Sequence, residues 1–203
     1  MPENKLSTKQ RIFYSALHLF ATKGVENASM RDIADAAGIN IASIYNHYIS
    51  KEQLLDACYD YFLEHRGSAA QSEETYRDIL QKGTKEDIIN VTNEQFPVEQ
   101  EDNFVFSMTI LFSRIYIDPK AIEKYLEIIN NYLQFLKRFF ELGIEVGRFE
   151  KFDVNRVSML FLSAKLFAAQ SITIHSGAML DMRPAQQEMM LELSNNIPFK
   201  ERG

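Results

Sequence analysis

Apolar residues recur at helical spacing along most of the chain, and no stretch alternates apolar and polar residues as a half-buried β-strand does. In the first segment, Ile12, Ala16, Leu19 and Phe20 fall on one helical face, and Gly24 follows the last turn. The pattern predicts an all-α protein with about nine helices.

Signals for helix starts and stops punctuate this pattern. Four pairs have the spacing of a capping box, in which a Ser or Thr precedes an acid or amide by three residues: Ser7–Gln10, Ser29–Asp32, Ser50–Gln53 and Thr84–Asp87. Asp118 before Pro119 predicts a further start. Stops are predicted at glycines and one proline: Gly24, Gly38, Gly67, Pro97, Gly147 and Gly177.

Two short helices joined by a tight turn lie in the N-terminal part. One runs from Met30 to Ala37, and the next begins at Ile41 after Gly38. Small residues at Ala34 and Ala37 allow close approach of two helices, and Gly38 can adopt a left-handed turn. This arrangement is typical of a helix-turn-helix, whose second helix enters the major groove of DNA.

The run from residue 29 to residue 55, with the preceding Leu-Phe-Ala-Thr-Lys-Gly, resembles the N-terminal signature of the TetR family of transcriptional regulators. The resemblance covers residues 7 to about 60 and fades after them. It implies a three-helix DNA-binding domain, a linking helix and a divergent helical domain for ligand binding and dimerisation. With the small, polar stretch at residues 66–72 as a boundary, we place these at 1–50, 51–66 and 67–203.

The same resemblance assigns DNA-binding roles. Ser29 and Arg31 begin the helix that crosses the DNA backbone, and Asn40 caps the recognition helix. The exposed start of that helix consists of Ile41, Ala42 and Ser43. The residues that resemble the family's phosphate-contacting set are Tyr45, His47, Tyr48 and Lys51.

Three of these residues have plainer interpretations. Tyr48 lies four residues after Ile44 and also fits a buried stripe. His47 also fits an ordinary surface position, and Lys51 a solvated charge beside the Ser50 cap. The chain departs from the family where many members carry Lys and Gly after the cap. Ile41 and Ala42 stand there instead, which exchanges a cation for an apolar contact such as one to a thymine methyl.

A long amphipathic helix is predicted from Pro119 to Gly147, with two apolar seams that require two partners. The helix from Val154 to His175 is similarly apolar and rich in small residues. Together they predict a four-helix dimer interface with a second copy, as the family also implies. The alternative is a large monomeric core. The predicted interface residues are Leu126, Ile129, Leu133, Leu136, Phe140, Phe161, Ala164 and Ala168.

A pocket for an unknown small-molecule effector is predicted among aromatic and Met side chains of the C-terminal part. Such side chains are also common in plain cores, so the pocket and core interpretations both stay open. The predicted lining residues are Phe104, Met108, Phe112, Tyr116, Phe167 and His175.

Charge alters this interpretation little. The net charge is −6, but residues 1–55 hold six Lys or Arg against five acids, which gives +1 and leaves −7 for the rest. A value of +1 is no basic patch, so electrostatics alone would not indicate DNA binding.

The sequence gives little support for an enzyme, a metal site or a cofactor. Cys58 is the only cysteine, the four histidines are scattered, and no nucleophile motif or phosphate loop appears. We therefore expect no enzyme activity, no metal and no cofactor. No signal peptide or spanning segment is recognised, so we expect a cytoplasmic protein without a membrane partner.

The expected function is a ligand-responsive transcriptional regulator, by family analogy a repressor. It would bind double-stranded DNA at a palindromic operator as a homodimer. Two alternatives stay open: a helical ligand-binding or interaction protein that has lost DNA binding, and an all-α enzyme. Specific, salt-sensitive duplex binding distinguishes the first, and substrate turnover would support the last.

Overall fold

A computed structural model describes residues 6–65, 72–94, 102–174 and 183–200. Within them the chain is helical, and no strand is formed beyond one isolated bridge between Phe149 and Phe199. The prediction of an all-α fold is confirmed. The helices are α1 (Thr8–Lys23), α2 (Met30–Ala36), α3 (Ile41–Ile44), α4 (Lys51–His65), α5 (Glu73–Lys82), α6 (Lys85–Glu94), α7 (Asp102–Arg114), α8 (Pro119–Glu145), α9 (Val154–Ile174) and α10 (Arg183–Ser194).

Predicted start signals form real caps. Reciprocal capping boxes close at Ser7–Gln10, Ser29–Asp32 and Thr84–Asp87. The fourth pair is shifted by one residue: Gln53 N donates to Ser50 Oγ at 3.3 Å, but Gln53 Oε1 accepts from the backbone N–H of Ile49. Asp118 Oδ1 accepts from the backbone N–H of Lys120 at the start of α8. Local hydrogen bonding therefore sets most of these helix starts.

The predicted stops at Gly24, Gly38 and Gly147 have backbone φ angles of +85°, +66° and +73°. Glycine adopts this left-handed region without the steric cost that a Cβ would bring, so these positions end their helical segments. The stops predicted at Gly67, Pro97 and Gly177 lie outside the described residues.

The chain divides into two compact units. Unit 1 comprises residues 1–65 and 100–125, and unit 2 comprises residues 66–99 and 126–203. The first stretch of unit 1 ends at residue 65, and α7 and the start of α8 also belong to that unit. The reason is packing: α7 lies against α1 and α4 and buries Phe104, Met108 and Leu111 with them.

Unit 2 has its own aromatic core on α5, α6, α8, α9 and the C-terminal segment. The Phe140 ring packs against Phe149 and Phe161, with centroid separations of 6.4 and 5.4 Å. Gly143 lets the Phe149 ring approach the α8 backbone, because a Cβ at this position would collide with that ring. α8 is therefore an internal scaffold of this unit.

This core corrects part of the predicted dimer interface. Leu136, Phe140 and Phe161 are fully buried, and Ala164 is nearly so, in the single chain. They cannot form a surface for a second copy, because aromatic residues of the same unit already cover them. Ile129 and Leu133 are half-buried against the same core, while Leu126 is 56% exposed. Ala168 lies in α9, but its side chain is outside the described part.

Candidate nucleic-acid interface

The turn between α2 and α3 is fixed by backbone hydrogen bonds. Ile39 N donates to Ala34 O at 3.0 Å, and Gly38 N donates to Asp35 O at 3.1 Å. Ile33 and Ala34 of α2 and Ile44 of α3 are buried. The two helices therefore pack through small and aliphatic side chains, as a helix-turn-helix requires.

α3 is short, but helical hydrogen bonding continues beyond it. The backbone N–H groups of His47 and Tyr48 both donate to Ile44 O, at 3.0 and 2.9 Å. Residues 41–48 thus form about two turns. Ile44 and Tyr48 share the inward side, while Ile41 and Tyr45, one turn apart, are 36% and 48% exposed.

A side-chain cap organises the first turn of α3. Asn40 Oδ1 accepts from the backbone N–H of Ser43 at 2.8 Å and from the Ser43 hydroxyl at 2.9 Å. The predicted role of Asn40 as the cap is confirmed by this geometry. The Ser43 hydroxyl is engaged in the same cap.

Tyr48 was predicted among the phosphate-contacting residues, and the structure places it differently. Its side chain is only 6% exposed, and burial raises the pKa of its hydroxyl. The ammonium of Lys9 lies 5.7 Å from the ring centroid, a cation–π distance. Tyr48 is therefore a core residue of unit 1, in line with the plainer of the two interpretations.

Lys51 is likewise directed inward. Its Nζ donates to Val25 O at 2.9 Å and to Ala28 O at 3.2 Å. These carbonyls belong to the loop between α1 and α2, so Lys51 ties the start of α4 to that loop. Two of the three ammonium protons are used inside the unit, so Lys51, predicted as a phosphate contact, has a structural role that the sequence did not indicate.

Another cation of the N-terminal part, Arg11, is exposed but also donates one hydrogen bond within the unit. Arg11 Nη1 donates to Ala37 O at 3.0 Å and satisfies a carbonyl at the end of α2. Arg31 is exposed in the first turn of α2, beside Ser29. Hydrogen bonds from the Ser29 side chain and backbone lower the pKa of Asp32, which keeps this carboxylate charged one residue from Arg31. The local positive potential is therefore modest.

Two exposed residues near α3 were missed in the sequence analysis. Asn46 is exposed four residues after Ala42, and Ile49 is 78% exposed just before α4. The spacing of Asn46 from Ala42 was the available signal. An exposed amide there can hydrogen bond to a base edge or to a phosphate.

The first turns of α8 hold α4 in place. Lys120 pairs with Asp56, and Lys124 pairs with Asp60, in two ion pairs one helical turn apart. The Tyr59 hydroxyl donates to Asp118 Oδ2 at 2.8 Å. Burial opposes ionisation of Asp118, but this bond and two backbone N–H groups lower the net pKa of its carboxyl.

The α7–α8 segment also reaches the loop before α2. Arg114 forms an ion pair with Glu26, which lies in that loop. This pair and the two bonds from Lys51 both restrain the loop. The helix-turn-helix is thus positioned by α4 and α7 as well as by its own small core.

The residues of the predicted effector pocket are dispersed. Phe104 and Met108 are buried in the core of unit 1, and the Phe104 and Phe112 rings lie 4.9 and 6.3 Å from Phe62. Tyr116 is 83% exposed after α7, which is incompatible with a position inside a closed pocket of one chain. Phe167 of α9 is also largely exposed, and His175 lies outside the described residues.

Residues 12–58 match the model of the family described as bacterial regulatory proteins, tetR family. The chain therefore carries a TetR-family N-terminal segment at residues 12–58. The matched residues contain α2, α3 and the turn between them. The internal bonds of Lys51 and the cap of Asn40 therefore lie within the segment that matches this family.

Sequence relatives agree with this assignment. The chain is 29% identical to the Probable HTH-type transcriptional regulator YttP of Bacillus subtilis over 143 residues, which are 70% of this chain and 66% of YttP. It is 36% identical to the HTH-type transcriptional repressor KstR2 of Mycolicibacterium smegmatis over 63 residues, 31% of each protein. The matches thus span less than two thirds of these relatives.

Solved structures show the same fold over nearly the whole chain. NalD of Pseudomonas aeruginosa, a secondary repressor of the MexAB-OprM multidrug efflux pump, aligns with a TM-score of 0.64 at 17% identity. The alignment covers 94% of this chain and 96% of NalD. At this identity the likeness concerns the fold alone.

Among the described residues, no three His, Cys, Asp or Glu side chains are grouped to hold a metal ion. No helix in this part of the chain has the length and apolarity needed to cross a bilayer.

Proposed function

We propose that this chain is a TetR-family transcriptional regulator that binds a palindromic operator as a homodimer. The observation that carries the proposal is the exposed face of α3, where Ile41 and Tyr45 project from a helix that Ile44 and Tyr48 anchor in the core. A short helix anchored on one side and exposed on the other can enter a major groove. Side chains on the exposed side of α3, which do not pack in the core of the unit, can then contact the bases.

The phosphate contacts are assigned to the exposed polar groups around this face. Tyr45 and His47 are exposed on and after α3, and Ser29 and Arg31 begin α2. Lys51 takes part indirectly, by holding the loop that precedes Ser29. Because Arg31 is the one Lys or Arg among residues 29–49, which contain α2 and α3, a shallow dependence of affinity on salt is expected.

The dimer is proposed through exposed apolar residues of α8 and α9. Leu126 is exposed on α8, and Met159, Leu160 and Phe167 are exposed on α9. Large apolar side chains at successive helical positions favour burial against a partner. Two-fold symmetry then presents two recognition helices to successive major grooves, as a palindrome requires.

We further propose that an effector bound by the C-terminal helical part changes operator affinity, in the cytoplasm and without catalysis. The relatives named as repressors, KstR2 and NalD, favour repression as the sign of regulation. Such a response requires only that the effector bind one arrangement of the dimer better than another.

The proposal is tested by selecting duplexes from a random-sequence pool with the purified, full-length protein. An enriched palindrome, bound by a protein with the mass of a dimer, is the expected result. A protein that has lost DNA binding would enrich no sequence, and that outcome would favour the alternative of an interaction module.

A further inference from the structure

The first turn of α3 exposes side chains without hydrogen-bonding groups. Ile41 is 36% exposed, and Ala42 is exposed beside it. The Ser43 hydroxyl and backbone N–H both donate to Asn40 Oδ1, so these donors and this acceptor are already paired within the cap. The part of the helix that leads into the groove is therefore apolar.

Nearby cations cannot easily replace this apolar surface as base readers. Lys51 donates to two backbone carbonyls, Arg11 donates to Ala37 O, and the Lys9 ammonium lies over the Tyr48 ring. An Arg or Lys reading guanine needs its donors free for O6 and N7. Lys9 and Arg11 are exposed, but each of these three charged groups already has an interaction partner within unit 1.

Base edges differ in what they offer to an apolar side chain. In the major groove, guanine and adenine present acceptors or donors, cytosine presents a donor, and thymine presents its C5-methyl group. Covering a polar edge with Ile removes water without returning a hydrogen bond, which is unfavourable. Contact with a methyl group buries apolar surface on both sides and is favourable.

We infer that Ile41, assisted by Ala42, reads thymine C5-methyl groups in each operator half-site. This inference rests on the proposed DNA-binding function and specifies its base preference. The operator carries thymine where the first turn of α3 faces the bases. Tyr45 and Asn46, one turn further, face the neighbouring phosphates and base edges.

Deoxyuridine tests the inference because it lacks only the methyl group of thymidine and keeps the same base pairing. Each thymine of a selected palindromic duplex is replaced symmetrically in both half-sites. At one or two positions we expect affinity to fall about fourfold per methyl lost, hence about fifteenfold for the symmetric duplex. Other thymines should tolerate the replacement.

Two matched variants assign the effect to a residue. Ile41→Ala removes the contacting atoms and should leave thymine and deoxyuridine duplexes bound within about twofold of each other. Ile117→Ala makes the same chemical change at an isoleucine after α7, outside the candidate interface, that is 66% exposed. This control should keep the full sensitivity to the methyl group. Circular dichroism and mass measurements confirm that both variants keep the wild-type fold and assembly.

The possible outcomes distinguish a failure of this inference from a failure of the proposed DNA-binding function. If a duplex is bound specifically but every deoxyuridine replacement is neutral, methyl reading is wrong and the proposed function stands. If the methyl effect persists in Ile41→Ala, this residue is not the reader. If no duplex is enriched at all, the proposed DNA-binding function fails together with the inference.

Discussion

The Lys51 ammonium donates to the carbonyl oxygen of Val25 at 2.9 Å, across 26 positions in the chain. A second bond, to Ala28 O at 3.2 Å, closes the same loop. The cation at the start of α4 thereby satisfies two carbonyls between α1 and α2. The position of α2, and with it the helix-turn-helix, depends on this link.

Removing that link should destabilise the protein. Lys51→Ala leaves two partly buried carbonyls without their charged donor, so we expect a loss of about 1.5–3 kcal/mol in the free energy of unfolding. Urea denaturation measures it. Lys23→Ala, at an exposed lysine, is the matched control and should stay within about 0.5 kcal/mol. If Lys51→Ala keeps its stability but shows a flatter salt dependence of DNA binding, this lysine contacts DNA phosphates rather than holding the loop.

Two tyrosines three positions apart provide a second comparison. The Tyr45 hydroxyl is on the exposed face of α3, so Tyr45→Phe should weaken operator binding by about 1 kcal/mol per half-site through one lost hydrogen bond. The Tyr48 side chain is buried, so Tyr48→Phe should leave operator affinity unchanged. Fluorescence anisotropy with a labelled duplex measures both variants. Equal losses would contradict the inward placement of Tyr48.

Local signals in the sequence predicted local structure well. The caps at Ser7, Ser29 and Thr84 and the left-handed glycines depend on residues within a few positions of one another, so spacing alone identifies them. The order of helices in the DNA-binding module followed from the same signals and from the family resemblance.

Long-range packing was less predictable. Lys51 and Val25 meet only because α1, α2 and α4 converge, and nothing near Lys51 in the sequence indicates this. The two seams of α8 were both predicted to need partners, but sequence periodicity does not say which partner covers each. Phe140 is covered by Phe149 and Phe161 of its own unit, whereas Leu126 remains exposed.

The proposed dimer can be tested at an exposed leucine of α8. Leu126→Glu places a charge in the proposed interface, where its desolvation opposes association, so a monomer of native helicity is expected. Leu191→Glu is the matched control, because this α10 leucine is also exposed, and it should remain a dimer. Sedimentation velocity distinguishes the species. A Leu126→Glu dimer as tight as wild type would place the interface elsewhere.

Close packing at Gly143 gives a stability prediction. Gly143→Ala would put a Cβ into the Phe149 ring, which is itself packed against Phe140 and Phe152, so the ring cannot move freely. We expect a loss of about 1–3 kcal/mol from overpacking, despite the higher helix propensity of alanine. Thermal unfolding monitored by circular dichroism measures it. A stabilised variant would show that the ring can yield.

The central claim is that the exposed face of α3 makes this chain a sequence-specific DNA-binding protein. The most direct measurement is the affinity of the purified protein for a selected palindrome and for a scrambled duplex of equal length, over a range of salt concentrations. We expect the palindrome to bind at least about a thousandfold more tightly, with a shallow salt slope that Arg31→Ala reduces further. Equal affinity for the two duplexes at every salt concentration would contradict the claim.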